Sequence, residues 1–133
     1  MIVVDANILL AACLKSEFAE SVERVKGRDP VWCAPEIWRA EIANALCTRM
    51  RKKTLTLEQA TAAYLIAERG ISLTFNISVD AILEFSSRTG CTGYDSSYVA
   101  VAERRRMKLV TLDKGVLSAC PHVACTPEQF LAA

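Results

Sequence analysis

The first seven residues, Met1-Ile2-Val3-Val4-Asp5-Ala6-Asn7, restrict the fold more than any other stretch. Ile2, Val3 and Val4 are a β-branched run with no polar alternation that would turn one face to water. Such a run reads as a strand buried on both faces, the mark of a central parallel strand. Asp5 stands where that strand ends. Parallel sheets bind ligands outside the carboxyl ends of their strands, near the point where strand order reverses. A carboxylate there is either a helix cap or a functional group. The rest of the chain can be read by asking whether other acids reach the same edge.

Elements follow in alternation. Ile8 to Leu14 reads as a short apolar helix and Ser16 to Lys26 as a more charged one, with a turn from Gly27 to Pro30. Val31 to Ala34 reads as strand 2, stopped by Pro35, which can also open the next helix. That helix, from about Glu36 to Lys53, carries Trp38, Ile42, Ala45 and Leu46 as an apolar stripe. Thr56 and Gln59 form a capping box for a helix over Leu57 to Arg69, closed by Gly70. Ile71 to Phe75 is strand 3, and Ser78 caps a helix to about Ser87. After a loop from Gly90 to Gly93, Asp95 to Arg106 is a helix, and Lys108 to Leu112 is strand 4. Val116 to Ala119 reads as one helical turn, His122 to Cys125 as strand 5, and Thr126, Pro127 and Gln129 start a final helix. Strands alternating with helices predict an α/β fold, a parallel sheet with helices on both faces. At 133 residues, with no repeat and no linker, residues 1–133 are expected to form a single domain.

Bulk charge excludes little but directs the search. A net charge of +1 carries no global signal for nucleic acid or membrane, so any attraction for phosphate must be local. No apolar run approaches the roughly 20 residues that span a bilayer. The start lacks the basic region and small-residue cleavage site of an export signal, so a cytoplasmic location is expected. Without that signal the six cysteines, none in CxxC spacing, are expected to be reduced core or near-core thiols. His122 is the only histidine and lies in an apolar piece, which suits packing or surface exposure better than catalysis.

Four acids occupy unusual positions. Asp5 and Asp113 each follow a buried-looking strand. Glu41 borders the apolar stripe of its helix, in line with Ile37 and Asn44. Asp95 opens a helix on which Tyr98, Val99 and Ala102 share its face. Each has a purely structural reading: Asp5 and Asp113 as caps, Asp95 as the partner of Thr92 in a capping box, Glu41 as a half-exposed surface acid. Together they suggest more. Acids near apolar surface are costly unless paired or metal-bound, and carboxylates brought close raise one another's pKa. A divalent cation relieves both problems, and an oxygen-only donor set suits Mg²⁺ or Mn²⁺. In a hydrolase such an ion makes bound water a better nucleophile and neutralises phosphodiester charge.

At these residues the chain resembles the PIN-domain family, close to its small VapC-like ribonuclease toxins. The matching pieces are Val3-Val4-Asp5-Ala6-Asn7, Ala34 to Leu46 around Glu41, Tyr94-Asp95-Ser96-Ser97-Tyr98-Val99-Ala100-Val101-Ala102, and Leu109-Val110-Thr111-Leu112-Asp113. The family pattern usually has Ala where this chain has Ser96. The resemblance implies a three-layer α/β/α domain with a five-stranded parallel sheet in the order 3-2-1-4-5. It implies that Asp5, Glu41, Asp95 and Asp113 bind Mg²⁺ or Mn²⁺ and serve catalysis, with Asn7 and Thr111 in support. It further implies RNA cleavage to 5′-phosphate and 3′-hydroxyl products, a homodimer, and a cognate antitoxin partner.

Two basic clusters, Arg49-Arg51-Lys52-Lys53 and Arg104-Arg105-Arg106-Lys108, lie at expected helix ends. Cations favour helix C-termini through the macrodipole. Arg49, Arg51, Lys52, Lys53, Arg104 and Arg105 are equally placed to contact RNA phosphates, which gives affinity without sequence choice. Three readings compete with a toxin nuclease: a solitary PIN nuclease, an RNA-binding or regulatory PIN module without turnover, and a receiver-type phosphoacceptor. The last is disfavoured because strand 1 ends in a single acid.

Overall fold

A computed structural model describes all 133 residues, Met1–Ala133. The chain runs β1 (Ile2–Val4), α1 (Ala6–Cys13), α2 (Ala19–Arg28), β2 (Trp32–Pro35), α3 (Trp38–Arg51), α4 (Leu57–Gly70) and β3 (Ile71–Phe75). It continues with α5 (Val79–Thr89), α6 (Gly93–Arg105), β4 (Leu109–Val110), α7 (Lys114–Ala119), β5 (Ala124–Cys125) and α8 (Pro127–Ala132). All strand pairs are parallel and the sheet order is β3-β2-β1-β4-β5.

β1 is central, and Val3 and Val4 are fully buried. The chain builds outward from β1 to β3 and then crosses back to β4. Right-handed crossovers therefore put α1 to α4 on one face of the sheet and α5 and α6 on the other. Packing agrees: α1 lies against α2, α3 and α4, while α5 pairs with α6. The core joins both faces, with Trp38 and Ile42 of α3 and Tyr98 and Val99 of α6 all buried.

Several boundaries differ from the sequence expectation. Pro35 does not open a helix; it is the last residue of β2, in register with Phe75. The helix begins only at Trp38, because Glu36 N still donates to Phe75 O and keeps the chain in the sheet for one more residue. Gly70 is the last residue of α4 rather than a left-handed stop, and the chain passes straight into β3 through Ile71 at φ −90°. Lys26 Nζ donates to the free Gly70 carbonyl at 2.7 Å, so no left-handed turn is needed to satisfy it. The left-handed glycine cap is at Gly90, φ +75°, after α5. β4 and β5 have two residues each, shorter than expected. Thr111 N still reaches Cys125 O at 3.0 Å, but beyond it the chain turns away to engage Asn7 and to start α7.

All six cysteines are free, yet Cys47 is exposed on α3 rather than near the core. His122 is exposed and pairs with Glu103, which also holds Arg88 at 3.2 Å. No helix is long and apolar enough to cross a membrane.

Candidate active site

Asp5 is placed by the sheet. Its N–H donates to Val110 O at 3.0 Å, which fixes the backbone at the carboxyl end of β1. Its side chain then performs two tasks. Oδ1 accepts from Ala6 N at 2.7 Å, capping α1, and Oδ2 accepts from the Thr111 hydroxyl at 2.7 Å. Capping and membership of the site are thus compatible at this residue.

Thr111 is the hub of the strand ends. Fully buried, its Oγ1 donates to Asp5 and accepts from Asp113 N at 3.0 Å and from Asn7 Nδ2 at 3.4 Å. A hydroxyl has one proton and two lone pairs, so this is its full capacity. Asn7 Oδ1 accepts from Leu112 N at 3.2 Å, pinning the start of the loop that carries Asp113. Asp113 Oδ1 accepts from Val116 N at 3.0 Å and caps α7.

The other two acids come from helices. Glu41 sits in the first turn of α3, one position before the fully buried Ile42, and is half-buried. Asp95 sits in the first turn of α6, which Thr92 caps by accepting from Asp95 N at 3.1 Å. The expected capping-box spacing thus does position Asp95, through its backbone.

Charge effects link the four acids pairwise: Asp5, Glu41 and Asp95 act on one another, and Asp113 acts on Asp95. Burial pushes Asp5 up to about 7; the hydrogen bonds from Thr111 and Ala6 pull it down, and the charges of Asp95 and Glu41 push it up again. Burial likewise raises Glu41, against the pull of the Tyr98 hydroxyl and with the charge of Asp95. Burial and the neighbouring Asp113 raise Asp95, partly offset by Thr92. Four carboxylates gathered this way lack a counter-charge of their own. As the side chains stand, no three of them form a finished metal cage. They do fit the need for one, because Glu41 Oε1 is buried without a hydrogen-bond partner. An unpaired carboxylate oxygen near Asp5 and Asp95 is the kind of donor a hard divalent cation takes.

Tyr98 is the member that sequence reading missed. Placed on the Asp95 face of α6 as an apolar neighbour, it carries its hydroxyl, also buried without a partner, to the side of Glu41. The available signal was the three-residue spacing from Asp95, which puts both on one helical face.

The basic clusters are not at the acids. Arg104 and Arg105 follow Asp95 by nine and ten residues of α6, roughly 14–15 Å along the axis. Arg49 and Arg51 follow Glu41 by eight and ten residues of α3, roughly 12–15 Å. Arg49 is half-buried and donates to Ala45 O, Arg104 lies 5.9 Å over Phe85, and Arg105 lies 4.2 Å over Phe75. Lys52 and Lys53 are exposed.

Solved structures share this architecture. PAE2754 from Pyrobaculum aerophilum is 26% identical, with a TM-score of 0.77 over 98% of this chain and 93% of its own. A toxin–antitoxin complex from Klebsiella pneumoniae matches at 16% identity and a TM-score of 0.70, covering 96% of this chain and 98% of that one. VapC20 of Mycobacterium tuberculosis, a toxin that cleaves the sarcin-ricin loop, matches at 14% identity and a TM-score of 0.66, over 89% and 95%. The last two likenesses bear on fold alone. No curated protein matches the sequence. The model of the PIN domain family matches residues 2–120, nearly the whole chain, and this protein belongs to that family.

Proposed function

We propose that the protein is a metal-dependent endoribonuclease, with Asp5, Glu41, Asp95 and Asp113 as its catalytic acids, acting as the toxin of a toxin–antitoxin pair. One observation carries the reading: three carboxylates, Asp5, Glu41 and Asp95, are each raised by burial and by the charge of a neighbouring acid. Such a cluster is disfavoured without a cation and well suited to one. Bound Mg²⁺ or Mn²⁺ would neutralise phosphodiester charge and make a water a stronger nucleophile.

The chain's own contribution is geometry. Thr111 and the α1 N-terminus hold Asp5 in one orientation, and the Thr111 hydroxyl ties the Asp113 loop to it. Asp95 and Glu41 are carried in the first turns of two different helices. Water adds to phosphorus in line with the departing 3′ oxygen, which takes a proton and leaves a 5′-phosphate on the other fragment.

The toxin assignment draws support from the fold shared with the Klebsiella complex and VapC20, and the partner is then an antitoxin. The family likeness also carries a homodimer, which sedimentation would check. The decisive test is cleavage of RNA with Mg²⁺ or Mn²⁺, with chelator, and with Asp5→Asn. Loss of products under the last two conditions is expected; cleavage that persists in both overturns the reading.

A further inference from the structure

Three buried side-chain polar atoms have no hydrogen-bond partner, Trp32 Nε1, Glu41 Oε1 and the Tyr98 hydroxyl, and the last two belong to side chains that interact. Tyr98 is 1% exposed, so bulk water does not reach it. A buried unpaired hydroxyl costs about 1–3 kcal/mol and is seldom kept without a role. Its surroundings narrow that role. Glu41, Asp5 and Asp95 are the charged groups near it, and an ordinary phenol, with a pKa of about 10, carries its proton at neutral pH. A phenol that stays protonated among carboxylates serves as a hydrogen-bond donor. Of these acids Glu41 is the one that engages the hydroxyl most strongly, and its Oε1 has no other partner. The two side chains interact, yet as they stand neither Glu41 Oε1 nor the Tyr98 hydroxyl meets hydrogen-bond geometry.

We propose that Tyr98 is a positioning residue: its hydroxyl donates to Glu41 Oε1 and thereby turns the second Glu41 oxygen toward a cation held among Asp5, Asp95 and Asp113. This rests on the metal-dependent reading above. Glu41 is the acid that needs such help. Asp5 and Asp113 are oriented by local amides and Thr111, whereas Glu41 stands on a helix face with no cap contact of its own. Groups that orient a metal ligand in this way typically affect metal affinity or activity 10–100-fold.

The test is a double-mutant cycle read by Mn²⁺ affinity, measured by electron paramagnetic resonance at one fixed pH on wild type, Tyr98→Phe, Glu41→Gln and the double variant. Tyr98→Phe removes only the hydroxyl and is expected to weaken Mn²⁺ binding about tenfold. It should have little further effect once Glu41 is Gln. A Tyr98→Phe protein that binds Mn²⁺ like wild type, or loses the same factor in both backgrounds, overturns the inference while leaving the metal site standing. Wild type that binds no Mn²⁺, or Glu41→Gln that binds it unchanged, removes the underlying reading instead. A second readout avoids relying on the stability of the variant. With 3-fluorotyrosine at position 98, the ¹⁹F resonance should shift when Mg²⁺ is added to otherwise native protein, and not to Glu41→Gln. An unshifted resonance in the former counts against the role.

Discussion

At the strand ends every oxygen of Asp5 is assigned, one to the amide of Ala6 and one to Thr111. Across the same space, Glu41 Oε1 and the Tyr98 hydroxyl have no partner. The two halves are made by different means. The strand half follows from backbone geometry: a β strand delivers Asp5, and helix caps fix Asp5 and Asp113 locally. The helical half depends on where α3 and α6 come to rest against the sheet, and its polar atoms are left waiting. A site with one rigid half and one unpaired half gains the most from a ligand that joins them.

The largest effect expected on this comparison is catalytic. Asp5→Asn or Glu41→Gln should lower metal-dependent RNA cleavage on the order of 10³-fold, the scale lost with one group that stabilises transition-state charge. The two should differ in stability. Asp5→Asn places an amide where both oxygens accepted hydrogen bonds, so its NH₂ would face the Thr111 hydroxyl or the Ala6 N–H, whereas Glu41→Gln removes a charge that nothing pairs. Thermal unfolding without metal should show Glu41→Gln as the better tolerated of the two. The reverse order would mean that the unpaired acid is in truth the better satisfied one.

Next in size is the pH dependence. The Asp5 carboxyl, raised from 3.8 to about 7, binds a proton more tightly in the folded chain than in the unfolded one. Its contribution to stability is complete below about 3.8 and is lost as pH rises through about 7. Glu41 and Asp95, also raised, act in the same direction. At 1.36 kcal/mol per pH unit, Asp5 alone accounts for up to about 4 kcal/mol. Metal-free protein should therefore unfold more easily at pH 8 than at pH 5, as followed by denaturant titration. Saturating Mg²⁺ should remove most of the slope, and Asp5→Asn should reduce it even without metal. A flat profile in chelator would show that the acids are better solvated than their burial implies.

Much of the strand half was legible in the chain itself. An unbroken Ile2–Val4 run ending in Asp5 required a central strand with an acid at its carboxyl end, and Thr56 with Gln59 and Thr126 with Gln129 form the capping boxes their spacing predicts. Local rules suffice there because the partners are a few residues apart. The same rules misplaced Pro35 and Gly70, where a neighbouring strand and the Lys26 ammonium supply the missing partner from far along the chain. Tyr98 was hidden for a similar reason. Its place on an apolar helical face could be read, but the acid beside its hydroxyl arrives from a helix more than fifty residues earlier.

Thr111 offers a smaller lever on the rigid half. Thr111→Val keeps the shape but strips Asp5 of a donor and leaves Asp113 N and Asn7 Nδ2 without their acceptor. The expected loss is about 1–3 kcal/mol of stability, the cost of leaving buried partners unsatisfied. Cleavage should fall about 10–100-fold, as for other groups that orient ligands. Thr111→Ser, which retains the hydroxyl, should recover most of the activity. Failure of Ser to do so would assign the residue's importance to its methyl group and to packing.

The smallest effects are expected far from the acids, and there the two basic clusters can be told apart. Arg104 and Arg105 are already stacked on Phe85 and Phe75, and Arg49 is tied to its own helix, whereas Lys52 and Lys53 extend from the end of α3 as exposed side chains. A cation already held against a ring or a carbonyl has less freedom to follow a phosphate backbone. Lys52→Gln with Lys53→Gln should weaken RNA binding at low salt and lower the slope of log affinity against log salt by about 0.7 per lost contact. The cleavage rate at saturating RNA should stay the same, because both residues stand roughly a helix length from the carboxylates. The pair Arg104→Gln and Arg105→Gln should change the salt slope less and stability more, through the lost aromatic contacts. Filter binding over a salt series, run beside thermal unfolding, separates the two. If the arginine pair dominates the salt slope, RNA runs along α6 rather than past the end of α3.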